Sequence, residues 1–177
     1  MPIPRSDLAL EPRRRYEIPL FSWRAADIAV TVPGATSGDH NLTEGTNVLS
    51  LDGNAPSSST VTDISWNQWQ LPPEYVGGGA ISFVVSATVD VAADAHTVDL
   101  SLWRNNPTSG AVGSDLCATG VQNPTATATE FEFVITPATL APGDLITLKL
   151  TTTSQDADGS NGLIAMHSTA MLLDIKG

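Results

Sequence analysis

Apolar and polar residues alternate with a period of two over much of this chain. In the run 81–91 every odd position is apolar and four of the five even positions are polar, the spacing of a strand that buries one face. Val98, Leu100 and Leu102 alternate with Thr97, Asp99 and Ser101. Phe131, Phe133 and Ile135 do so with Glu130 and Glu132, and Ile146, Leu148 and Leu150 with Thr147 and Lys149. One wet face per strand is the antiparallel habit. The last run, 164–175, opens with apolar even positions (Ile164, Met166) and closes with apolar odd ones (Met171, Leu173, Ile175). Its phase therefore slips near Ala170, which predicts a β-bulge or sheet crossover there. A similar slip is expected between Ile64 and Trp66 on one side and Trp69 and Leu71 on the other, as where a sandwich strand bends between sheets.

Turn residues fall between these runs: Pro72-Pro73, Gly77-Gly78-Gly79, Asn105-Asn106-Pro107, Pro142-Gly143-Asp144 and Asp158-Gly159. The paired prolines cannot join a ladder and the three glycines allow a sharp reversal, so the chain can change sheets before the 81–91 strand. Weaker strands are expected near 18–23, 28–32 and 47–51. The sum is an all-β chain, an antiparallel β-sandwich of jelly-roll-like or other Greek-key type with about eight to ten strands. Nothing shows a helical period beyond one turn near 136–140. The segment 1–24 reads differently, because Pro2, Pro4, Pro12 and Pro19 punctuate a charged stretch. It is expected to be an extended basic arm, held by a neighbouring subunit or partner, with 25–177 as the sandwich domain.

Composition adds constraints. The chain of 177 residues, 41% apolar, suits one core. The net charge of −11 opposes phosphate binding, so no nucleic-acid partner is expected. The imbalance is local: 1–24 carries Arg5, Arg13, Arg14, Arg15 and Arg24 against three acids, and the remainder has three basic residues against sixteen acids. The single cysteine, Cys117, allows no internal disulfide and reads as a buried, inert thiol. The first residues lack the apolar run of a secretory signal, and no stretch has the length of a membrane helix, so no membrane association is expected.

Catalytic chemistry finds little support in the residues. His40, His96 and His167 are the only histidines and none sits in a recognisable nucleophile, zinc or phosphate-binding motif. Each reads as a surface or interface side chain, and no enzymatic activity or cofactor is expected. In the loop 156–162, Asp156, Asp158 and Asn161 resemble oxygen-rich calcium loops, but the glycine is fourth rather than sixth and His167 stands where a glutamate belongs. A hairpin turn needs the same residues. Carboxylate pairs are too common in this acidic chain to indicate a glycosidase. Among Trp23, Trp66, Trp69 and Trp103, the pair Trp66 and Trp69 could form a sugar-stacking platform, and packing in a core or interface is the competing reading.

The stretch 69–81, Trp-Gln-Leu-Pro-Pro-Glu-Tyr-Val-Gly-Gly-Gly-Ala-Ile, leads from a turn into a long alternating strand. It resembles a group of small β-sandwich virion proteins of tailed bacteriophages and prophages. The likeness extends through the turn 138–144, the strand that follows it and the closing run that ends Leu172-Leu173-Asp174-Ile175-Lys176, roughly 61–176. The resemblance implies a head decoration (cement) protein on the virion surface, assembled in the host cytoplasm. Its implied partners are the major capsid protein and copies of itself in a homotrimer. Docking would then use Arg13, Arg14, Arg15, Ile18, Phe21 and Trp23 of the arm. The alternative is a tail or fibre component whose sandwich binds carbohydrate through Trp66 and Trp69.

Overall fold

The computed structural model describes residues 13–25, 40–44, 49–54, 60–90, 95–106, 110–137, 139–155 and 162–176. The expected strand at 28–32 and the loop 156–162, except Gly162, lie outside them. Eleven strands are described: β1 Arg14–Ile18, β2 Arg24–Ala25, β3 Asn41–Glu44, β4 Leu49–Asp52, β5 Thr60–Gln70, β6 Ile81–Val89, β7 Ala95–Asn106, β8 Gly110–Val112, β9 Thr129–Ile135, β10 Leu145–Gln155 and β11 Ile164–Leu173. All pair antiparallel. Sheet A runs β3-β4-β11-β6-β9, with β1 also on β11, and sheet B runs β2-β5-β10-β7-β8. Their inner faces pack Ile81, Phe83, Val85, Leu100, Leu102, Phe133, Ile146, Leu148, Leu150, Met171 and Leu173 into one buried core. This is an antiparallel β-sandwich of jelly-roll-like design.

The predicted change of sheet after β5 is present, since β5 belongs to sheet B and β6 to sheet A. The turn between them is anchored by Tyr75, fully buried, whose hydroxyl donates to the Gly79 carbonyl at 2.8 Å. Gly78 sits at φ 74°, and a Cβ on Gly79 would stand 2.8 Å from the Val76 carbonyl oxygen, so both positions need glycine.

The two phase slips turn out differently. In β11 the slip is a bulge between Met166 and Ser168, slightly earlier than the position expected from the sequence. It swings Thr169, Met171 and Leu173 inward beside Ile164 and Met166. In β5 there is no slip at all. Its eleven residues pair with β10 without a break, from Thr60 opposite Gln155 to Gln70 opposite Leu145. Alternation simply continues, so Asp63, Ser65 and Asn67 turn inward and are buried while Ile64 and Trp66 face out. One end of the sandwich interior is therefore polar.

The described part of the expected arm is not an arm. β1 completes sheet A, and β2 pairs with β5 in sheet B. Between them a 3-10 turn over Leu20–Ser22 lets the chain cross the sandwich edge. Ile18, Leu20 and Trp23 enter the core at 2%, 7% and 7% exposure. The boundary at residue 24 is thus corrected: 13–25 is integral to the domain. The error has a physical source. Pro12 and Pro19 bracket a short strand rather than excluding one, because edge strands tolerate flanking proline.

Candidate functional site

The arginines expected to dock a partner are engaged within the molecule. Arg13 Nη1 donates to Ser82 Oγ and to Glu132 Oε1, each at 2.7 Å, and Arg15 donates to Glu17 and Glu130 at 2.6 Å. Glu130 and Glu132 belong to β9, at the far edge of sheet A. The line from Arg15 to Glu130 passes over Ala170 and Val84, which point away from the core yet are 0% and 1% exposed. The arginine stems thus roof an outward face of small side chains, as long cationic side chains do. The hydrogen bond from Ser82, reinforced by Arg13, holds the Glu132 carboxyl below its ordinary range. Arg14 lies over the Tyr16 ring at 5.3 Å from its centroid and is 4.0 Å from Glu74. Of the six expected docking residues, Ile18 and Trp23 are buried, Arg13 and Arg15 are exposed but held in ion pairs, and Phe21, 72% exposed, and Arg14 keep the most free surface.

The histidines also differ from expectation. His40 and His96 are buried at 7% and 4% exposure in the polar end of the sandwich. His40 Nδ1 lies 2.7 Å from Ser65 Oγ and its Nε2 2.8 Å from Thr152 Oγ1. Burial drives its pKa down to about 3, so it is neutral at physiological pH. Beside it, Asp63 accepts from the Asn54 amide and side chain at 2.7 and 2.6 Å. Serine beside histidine superficially suggests a nucleophile and its base. Ser65 is 1% exposed, however, and the ring's other nitrogen meets a threonine rather than an orienting carboxylate. The cluster is a satisfied polar interior. His167 reaches Thr88 Oγ1 at 2.8 Å on the outer side of sheet A. Cys117 is half-buried, and burial raises its thiol pKa to about 11, which makes it unreactive near neutral pH.

The outward face of sheet B is built differently. Trp66 and Trp69 are three residues apart on one strand, an odd number, and therefore lie on opposite faces. Trp69 packs against the core, its ring centroid 5.9 Å from that of Tyr16. The expected platform of Trp66 with Trp69 is thus corrected. Trp66 instead meets Trp103 of β7, with centroids 5.9 Å apart and ring planes 28° from parallel. At that separation the rings are offset rather than fully overlapped. They meet diagonally across β10, between Thr147 (opposite Trp103) and Lys149 (opposite Trp66). Both indoles are half-buried.

Three cross-strand rows organise this face. One reads Arg24, Trp66, Lys149, Ser101; the next reads Gln68, Thr147, Trp103; the third reads Gln70, Leu145, Asn105. The third row opens into a groove of about 750 Å³, also lined by Arg104, Ser114, Leu116, Thr139 and Asp144, within the size range of small-molecule sites. There Arg104 donates to Asp144 at 3.1 Å. Asn105 Oδ1 is buried and makes no hydrogen bond, an acceptor suited to a hydroxyl donor. Among the described residues two other buried polar atoms share that state, Asp52 Oδ1 and His167 Nδ1, but both belong to strands of sheet A. Period-two counting from Trp66 could have found Trp103 as a same-face residue only with the strand register in hand.

Fold and face together define an antiparallel β-sandwich with a paired-tryptophan surface beside a groove of mixed lining. No protein-family model matches the sequence, and no curated protein matches it. Among solved structures, the xylan-binding module CBM15 is similar at 13% identity, with 93% of this chain and 99% of that one covered and a TM-score of 0.49. The CBM22-1 xylan-binding domain of Paenibacillus barcinonensis Xyn10C gives 11% identity, 88% coverage of each chain and a TM-score of 0.47. The enzymatically active domain of bacteriophage CBA120 tailspike protein 4 gives 13% identity and a TM-score of 0.48, over 88% of this chain and 20% of that one. The chain thus spans about a fifth of that tailspike structure.

Proposed function

We propose that this protein is a binding module that holds a polysaccharide across the outward face of sheet B. The observation that carries the reading is the Trp66–Trp103 pair, two nearly parallel indoles displayed on a solvent-facing sheet rather than in the core. A pyranose ring offers an apolar C–H face and a rim of hydroxyls. The indoles pack on the first, and Gln68, Gln70, Ser101, Asn105 and Thr147 around them hydrogen-bond the second. Buried aromatic contacts dominate recognition energetics. From the row of Ser101 to that of Asn105 the track runs ~13 Å along the strands, long enough for a short run of sugar residues.

Attachment to a phage head through the N-terminal segment has less support. Arg13, Arg15, Ile18 and Trp23, which it would use, are engaged in ion pairs or buried in the core. A glycan array probed with the labelled full chain, followed by tryptophan fluorescence titration of the hits, tests the proposal. Saturable binding with a change in indole emission is the expected result. Silence across the array at millimolar glycan would refute it.

A further inference from the structure

The charge on this face is unlike that of the rest of the chain. Net charge is −11 with only eight basic residues, yet two of them, Arg24 and Lys149, stand on either side of Trp66 in one cross-strand row. Among the described residues neither forms an ion pair, whereas Arg13, Arg14, Arg15 and Arg104 all do. Asp99 is the one acid at a solvent-facing position of the described parts of β2, β5, β7 and β10, and its Oδ1 accepts from the Leu100 amide. In the adjoining groove Asp144 is already matched by Arg104. The face therefore carries an excess of positive charge centred on an indole.

We propose that the glycan taken by this face is acidic, a uronic-acid polysaccharide whose carboxylate sits between Arg24 and Lys149 while its ring packs on Trp66. This rests on the binding-module reading and names its ligand class. Lys149 Nζ lies 5.8 Å from the Trp66 ring centroid, over the surface a sugar would use. A neutral sugar stacking there displaces the ammonium from the ring and offers no charge in return. A uronate supplies a charge-assisted hydrogen bond in its place. The strand spacing puts the Cα atoms of Arg24 and Lys149 about 10 Å apart with Trp66 between them, so both long side chains can converge on one carboxylate above the ring. Repulsion by the acidic body is screened beyond about 8 Å at physiological salt, while contacts to these two cations are not.

Calorimetric titration of the full chain tests this with polygalacturonate, alginate and hyaluronan, each beside its carboxyl-reduced counterpart, and with polyglutamate as a sugar-free polyanion. At least one uronan should bind tenfold or more tighter than its reduced form, weakening as salt rises. Lys149→Gln should bring the pair to near parity, and Trp103→Ala should weaken both members. Equal binding of acidic and reduced forms overturns the acid preference and leaves the module reading standing, as does unchanged selectivity in Lys149→Gln with its fold intact by circular dichroism. Polyglutamate binding as tightly as the uronans sinks both, and no binding to any polysaccharide of the set overturns the uronate proposal while the glycan array decides the module reading.

Discussion

Removing one indole from each side of sheet B separates recognition from stability. Trp103→Ala strips the outer partner of Trp66, leaving the core unchanged. Truncating the half-buried indole gives up ~2 kcal/mol of area burial, and the aromatic pair contributes ~0.5–1.5 kcal/mol beyond that, so the loss of stability should be about 3 kcal/mol. Trp69→Ala opens the inner wall beside Tyr16, where the ring packs against the core. Large aromatic truncations in a core cost ~3–5 kcal/mol. Partial exposure of Trp69 puts the expectation at the low end, ~3 kcal/mol, or about 6–12 °C in Tm for a chain this size. Urea unfolding gives the stabilities, and affinity electrophoresis in polysaccharide-containing gels gives the binding. Trp103→Ala should lose tenfold or more in affinity, and Trp69→Ala should bind as the parent does while folded. If the two indoles merely fasten β5 to β7 across β10, Trp103→Ala binds undiminished. That outcome, or selective loss of binding in folded Trp69→Ala, refutes the assignment of the face.

Further outcomes follow from other parts of the fold. Deleting 1–24 removes β1, half of β2 and three buried side chains, Ile18, Leu20 and Trp23. At roughly 2–5 kcal/mol each against a typical total of 5–15, the truncated chain should show no cooperative melt by circular dichroism. Below about pH 6.5 the unfolded chain protonates His40 while the folded one, with a pKa of about 3, does not. Stability should therefore fall with decreasing pH between those values, by up to ~1.4 kcal/mol per unit from this group. His40→Gln should flatten that part of the profile, measured by urea unfolding from pH 7 to 4. Tyr75→Phe, which loses only the bond to the Gly79 carbonyl, should cost about 1 kcal/mol. Gly79→Ala should cost more, since its Cβ would crowd the Val76 backbone oxygen.

Much of the fold is written in the sequence, because a period of two fixes which side of a strand is apolar without reference to any partner. The strands β6, β7, β9, β10 and β11, the sheet change at the Pro-Pro and triple-glycine turn, and the phase slip of the last strand could all be read from it. β5 could not. Its polar inward residues Asp63, Ser65 and Asn67 make sense only beside Ser22, His40, Asn54 and Thr152, most of which come from distant segments. A reader assuming an apolar interior therefore places a bend where the strand is straight, and pairs Trp66 with Trp69 across two faces. The basic segment misleads for a related reason. Arginine is a docking residue or a roof depending on whether acids stand within reach, and Glu130 and Glu132 are more than a hundred residues away in sequence. Local alternation specifies strands one at a time. Which tryptophans meet, and which cations remain unpaired beside them, is set by strand register across β2, β5, β10 and β7, and only the tertiary fold decides that.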